Sequence, residues 1–325
     1  MKSSKLTGFL AGILALALAI GLGWAVGQLG NTNKLGADPN PKATAFLAGK
    51  FVNGQYVEGF TPGKPDLGFS LEALIQLAGA GDQADVVKSA SNYLLTEDAD
   101  STMLASSVGL LDAGLAGKYL FAAKAADKKP AAVERIWSHF LPTSDSGTTL
   151  NTSGAYTFDY AWSILGLTAW AQNDSANQVV NGLLELQLSN GGFGSYLPAA
   201  DAAAVSAADG TGIAIMALEA ARGHGGDDAK IDAALLRAVQ WLTKNTVTND
   251  HFEAYGAADV NGTEYAIMGL ASVGVKTDYY VSWLRDQVVA DSGISSAYSA
   301  GNADVFATAQ GLLALRGLSY LSLLQ

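Results

Sequence analysis

The chain contains no cysteine. Disulfide staples, a cysteine-linked lipid and thiolate metal ligands are therefore excluded, and stability has to come from packing. Proline is scarce at 7 residues, and only 15% of positions are charged against 49% hydrophobic. That balance excludes a disordered or fibrous chain and lets 325 residues bury a large core. Positive charge is short too: 19 Lys and Arg face 30 Asp and Glu, a net charge of -11, and no basic run occurs. Phosphate backbones attract clustered Lys and Arg, so no nucleic-acid partner is expected. The 3 histidines, His139, His224 and His251, have no His partner at ligand spacing. Neither a metal nor a cofactor is expected.

Apolar sequence is abundant, beginning at the N-terminus. No residue from Leu6 to Asn33 is charged, and Thr7 to Leu29 is almost wholly Leu, Ile, Ala, Val, Gly and Phe. About 20 apolar residues span a hydrocarbon core of ~30 Å, whereas the apolar part of a signal peptide usually has about 7–15. Residues 1–33 are read as a transmembrane anchor, 34–42 as a polar, Pro-containing linker and 43–325 as one domain. Lys2 and Lys5 precede the span, so the positive-inside rule puts the N-terminus in the cytoplasm and the bulk beyond the cell membrane. Ala25-Val26-Gly27 is also a tolerable cleavage site, which leaves processing open. Gly8 and Gly12, then Gly23 and Gly27, are small-xxx-small pairs that let a partner helix approach, although Gly is common in such helices anyway. Trp24 fits the outer interface belt.

The rest of the chain repeats. Three units near the C-terminus (183–223, 241–274 and 283–317) each read as helix, Gly/Asn/Asp turn, helix. Thr211, Thr263 and Thr308 each stand seven residues before Leu218, Leu270 and Leu315, two turns along one helix face. Phe252 and Ile294 each follow Trp241 and Trp283 by eleven. Weaker units are read at 43–81, 88–114 and 133–172, with Leu74, Leu110 and Leu167 as the matching leucines. Second helices such as GIAIMALEAA are apolar on nearly every face and must be buried, whereas AKIDAALLRAVQWLTK carries its charges on one side and suits an outer layer. Six of each predict an all-α, closed (α/α)6 toroid, because closure removes the ends an open solenoid must cap.

LQLSNGGFGSY, AVQWLTKNTVTNDHF, GTGIAIMALEAA and GTEYAIMGLA resemble the prenyltransferase and squalene-cyclase repeat family. Gln187 and Gly191-Gly192-Phe193 look like its Gln…Gly-Gly-Phe element, without the Trp that often follows. The resemblance covers about residues 43–320, strongest from about 180 onward, and implies the same toroid. The family's chemistry is mostly missing. Its zinc enzymes and its thioester relatives need a Cys, and the nearest string to the cyclases' Asp-x-Asp-Asp run is Glu97-Asp98-Ala99-Asp100, at the wrong spacing.

Asp66, Asp159, Asp209, Asn261 and Asp304 lie at or just before the second helices. As N-caps each contributes ~1 kcal/mol. A sharper reading gathers Asp209, Glu264 and Asp304, with His251 in a neighbouring turn, at one toroid mouth, where two carboxylates serve as acid and base. Asp259 to Glu264 has a faint calcium-loop look but lacks an EF-hand's length and distant Glu. The expected function is a non-catalytic, membrane-anchored accessory or scaffold subunit on the outer face of an integral membrane complex. Anchored toroids of this look occur as accessory subunits of actinobacterial respiratory supercomplexes that join cytochrome bc to cytochrome oxidase. The alternative is an envelope enzyme or ligand-binding protein that uses the mouth on an isoprenoid lipid, a polysaccharide or a corrinoid-like ligand.

Overall fold

The computed structural model describes residues 40–324 apart from 60, 106–110, 141–149, 152–154, 197, 199–202, 249 and 291. The span read at 1–33, with Gly8, Gly12, Gly23, Trp24 and Gly27, lies outside the described residues. Among the described residues no helix is long and apolar enough to cross a membrane.

The protein is mostly helical. In chain order the helices are α1 (Pro41–Ala48), α2 (Leu67–Ala80), α3 (Ala84–Leu94), α4 (Ala99–Thr102), α5 (Ala113–Ala125), α6 (Ala131–Ser138), α7 (Thr157–Ala169), α8 (Asn173–Glu185), α9 (Ala208–Ala221), α10 (Asp228–Lys244), α11 (Val260–Ser272), α12 (Asp278–Asp286) and α13 (Val305–Gly311). Two 3-10 turns follow, at Ala314–Arg316 and Tyr320–Leu323. Among the described residues strands come only as two-residue pairs: β1 (Phe51–Val52) with β2 (Tyr56–Val57), β3 (Leu111–Asp112) with β4 (Leu150–Asn151), and β5 (Glu253–Ala254) with β6 (Ala257–Ala258). α1 starts at Pro41, inside the stretch read as linker, because proline suits a first helical turn whose N–H groups lack partners in any case.

The helices sort by burial pattern. In α10 the buried residues are Ile231, Ala234, Leu235, Ala238, Val239 and Leu242, one stripe at helical spacing. In α9 every residue from Gly210 to Leu218 is buried, and α2, α5, α7 and α11 are likewise covered on most sides. These apolar helices pack on one another in order: α2 on α5, α5 on α7, α7 on α9, α9 on α11, α11 on α13, and α13 back on α2. Small residues allow the approach. The backbone of Trp162 blocks the space a Cβ at Gly117 would fill, and a Cβ at Gly269 would lie 2.6 Å from the Gly212 carbonyl oxygen. Gly117 and Gly212 each stand five residues past their caps and face residues six past theirs, so these neighbours run parallel.

The second unit differs from its sequence reading. The buried helix expected to end by Gly114 is α5, which begins at Ala113 and runs on to Ala125; before it, among the described residues of that unit's second half, lies the short α4 (Ala99–Thr102). Asp112 explains the start, since its carboxylate accepts from the Leu115 N–H at 2.8 Å and nucleates the helix there. Leu110 lies outside the described residues, and the leucine of the first unit that matches Leu218, Leu270 and Leu315 in position is Leu77, not Leu74; both are fully buried.

The recurrent threonines have a structural task. Thr211, Thr263 and Thr308 accept from the N–H of Phe193, Phe252 and Ile294 at 2.9, 3.1 and 2.9 Å. Ser70 does the same for Val57 at 2.9 Å. Each of those four pinned residues is buried, and each carbonyl accepts from the N–H of the residue before its helix. Thr263 and Thr308 also donate to the carbonyl four residues back, at 2.7 Å in both cases. One hydroxyl thus ties the turn to the buried helix, at the same register in four units. Thr308→Val keeps the shape but strands the buried Ile294 N–H, so urea unfolding should show a loss of about 1–3 kcal/mol. Thr308→Ser should restore most of it.

Candidate functional site

Where the six apolar helices converge, the side chains are not all apolar. The Glu72 side chain on α2 is 2% exposed, and its Oε2 meets Lys118 Nζ of α5 at 2.8 Å. Its Oε1 accepts from the Tyr320 hydroxyl at 2.9 Å and from the Tyr265 hydroxyl of α11. Burial and the Glu72 carboxylate hold both phenols well above the ordinary tyrosine range, so they stay protonated and donate. Lys118 also lies 4.8 Å from the centroid of the Trp162 ring. Tyr320 packs edge-on to Phe121 and tilts against Trp162 at 5.0 Å, while Phe158 of α7 meets Tyr265 at 5.3 Å. Tyr320 therefore touches groups from α2, α5, α7 and α11, and fills the space between them. Gln76 secures the same region: it donates to the Gln310 carbonyl at 2.7 Å and accepts from Leu313 N–H at 2.8 Å, satisfying backbone groups freed where α13 gives way to a 3-10 turn.

This network was not anticipated. The signal was a charge in the middle of each of two mostly apolar helices, Glu72 in LGFSLEALIQLAGA and Lys118 in AGLAGKYLFAAKA, whose other charge, Lys124, is exposed in the last turn. A charge where burial is expected needs a partner. Removing one partner of a buried pair leaves the other uncompensated. Lys118→Met should therefore cost about 3–5 kcal/mol in chemical unfolding, and adding Glu72→Gln should recover a large part of that loss.

The expected mouth residues are dispersed among different tasks. Asp304 caps α13, accepting from Phe306 N–H at 2.8 Å and from the Ser296 hydroxyl. Asp66 caps α2 through Phe69 N–H at 2.9 Å, and Asp159 accepts from Tyr156 N–H at 2.8 Å. Asp209 is no N-cap: it is the second residue of α9, accepting from Gly210 N–H at 2.7 Å and from the Ser195 hydroxyl, and burial raises its carboxyl above the ordinary range. Nor does Asn261 cap α11. That task falls to Asp259, through Gly262 N–H at 2.9 Å, while Asn261 donates to Gln310. His251 pairs with Asp250 at 2.6 Å and stacks on Trp283 with ring centroids 4.7 Å apart. Among the described residues, no three His, Asp or Glu converge on a metal position.

Glu264 is not at the rim. It is fully buried, beside Gly311 and Ile294, and neither carboxyl oxygen has a hydrogen-bond partner. Burial, then the nearby charges of Asp259, Asp304 and Glu72, raises its carboxyl well above the ordinary range. No hydrogen bond joins Asp209, Glu264 and Asp304, so the acid–base pair of the sequence reading is not assembled. A neutral acid in the fold that ionises on unfolding makes the unfolded chain the weaker proton binder, so stability falls as pH rises from about 4.5 toward the folded value. Glu264→Gln removes that proton. As pH rises from 5 to 6 the wild type should lose stability relative to the variant, with a ceiling of about 1.4 kcal/mol per pH unit, measured by urea unfolding at each pH.

Compared with known proteins, the chain matches no protein-family model and no curated protein.

Proposed function

We propose that the protein is a non-catalytic, membrane-anchored accessory subunit, its helices forming an (α/α)6 toroid of the prenyltransferase-like kind on the extracytoplasmic face of a membrane complex. The assembly favoured by the resemblance is a respiratory cytochrome bc–cytochrome oxidase supercomplex. The observation that carries the reading is the filled centre. A toroid enzyme needs a void among its inner helices for substrate, and here the hydroxyl of Tyr320, the carboxylate of Glu72 and the ammonium of Lys118 occupy that region and satisfy one another. Support for the toroid comes from the return of α13 onto α2, which gives each of the six apolar helices among the described residues two such neighbours. Support for the anchor comes from the uncharged run of Leu6 to Asn33.

A protein whose interior is spent on its own packing acts through its surface. Purified through a C-terminal tag from native membranes in mild detergent, the full chain should bring integral membrane subunits with it in fixed ratio. If it emerges alone across several mild detergents, the accessory role fails.

A further inference from the structure

Three tyrosines stand together where the buried helices begin. Tyr196, Tyr255 and Tyr298 are 77%, 95% and 84% exposed. They occupy one place in successive units, three or four residues after the pinned Phe193, Phe252 and Ile294. They share a neighbourhood, since the helices that follow them, α9, α11 and α13, pack side by side in that order, and Asp209, Tyr255, Asp259 and Tyr298 also bear electrostatically on the Tyr196 phenol. Folding does not call for an aromatic ring at Tyr255. It sits in the two-residue turn between β5 and β6, at a φ of 54° followed by Gly256 at 80°. The same pair of positive φ values occurs at Asn53-Gly54 and Ala300-Gly301, and asparagine is the residue such a position tolerates best.

The segments that carry these rings have charge of one sign. Residues 189–221, 245–275 and 286–315, which supply the three turns and the helices after them, contain no Lys or Arg, while Asp209, Asp259 and Asp304 stand at the helix starts. Exposed tyrosines are the side chains enriched at protein interfaces, and their ring faces attract cations. An anionic bilayer would be repelled by this face, which argues for protein over lipid. We infer that this face receives a Lys- or Arg-bearing segment of a partner protein, the three rings taking the cationic groups and the neighbouring carboxylates balancing their charge. The inference rests on the accessory-subunit reading for the partner's being a protein, and adds where and by what chemistry it docks.

The test uses the full chain in detergent micelles and a Tyr196→Ser/Tyr255→Asn/Tyr298→Ser variant, which alters only exposed side chains and leaves every carboxylate in place. A fluorescent hexa-arginine peptide should bind the wild type in a salt-sensitive way and the variant at least tenfold more weakly, with a hexa-glutamate peptide bound by neither. Equal binding of hexa-arginine by the two proteins overturns the proposal, because net charge alone would then account for it. Tyrosine-dependent binding to phosphatidylcholine vesicles in place of the peptide also overturns it, in favour of a lipid ammonium group. Retention of membrane subunits separates the two readings: if the variant keeps them as well as the wild type does, the docking face is wrong while the accessory role stands. If the wild type brings none, the accessory role fails and the peptide comparison still judges the face.

Discussion

A carboxylate removed from water has to be met by donors, and that of Glu72 is met by three that lie far apart in the chain, Lys118, Tyr265 and Tyr320. No pair of neighbouring hairpins can satisfy it. The donors arrive together only when α2, α5, α11 and the final 3-10 turn are all in place, so the network rewards the complete arrangement and penalises every partial one. An apolar centre of equal volume would hold as much stability, but it would tolerate helices sliding past each other. Hydrogen bonds with fixed partners do not.

Beneath that constraint are two that act within and between neighbouring units. The hydroxyls of Ser70, Thr211, Thr263 and Thr308 fix how each turn enters its buried helix. The glycines at 117, 166, 212 and 269 fix how near the next buried helix comes. Backbone contact at these glycines leaves no room for adjustment, because the obstruction is a neighbouring main chain and not a side chain able to turn aside. The network around Glu72 therefore closes a structure whose local angles and spacings are already set.

These layers were unequally legible in the sequence. The spacing from Thr211, Thr263 and Thr308 to Leu218, Leu270 and Leu315 is a local signal, and it located three units because the hydroxyl and the leucine lie on one helix. It failed in the second unit, where Ala116 stands at the position of the hydroxyl and no pin exists to leave a trace. Capping was legible only approximately. Asp259 does the capping expected of Asn261, and Asp112 caps α5, for which the sequence offered no candidate, since a one- or two-residue shift of a helix start moves the cap without disturbing the apolar pattern. The central network was invisible for another reason: Glu72 and Tyr320 are separated by most of the chain, and nothing in a local pattern says that they meet.

The same contrast separates the inside of the molecule from its rim. Inside, the polar groups around Glu72 have their roles defined by other residues of this chain, while among the described residues the Glu264 carboxyl, the Trp162 indole N–H and the Thr157 hydroxyl are kept from solvent by burial without a partner. At the rim the turns after Phe252 and Ile294 repeat one pair of positive φ values, at Tyr255-Gly256 and Ala300-Gly301, while their side chains differ. Packing cannot explain that variation, because Tyr255 is almost wholly in solvent and asparagine suits its backbone better. A large ring held in water at a strained position contributes nothing to the fold that bears it, so its contribution has to be sought in what the three turns meet outside the chain.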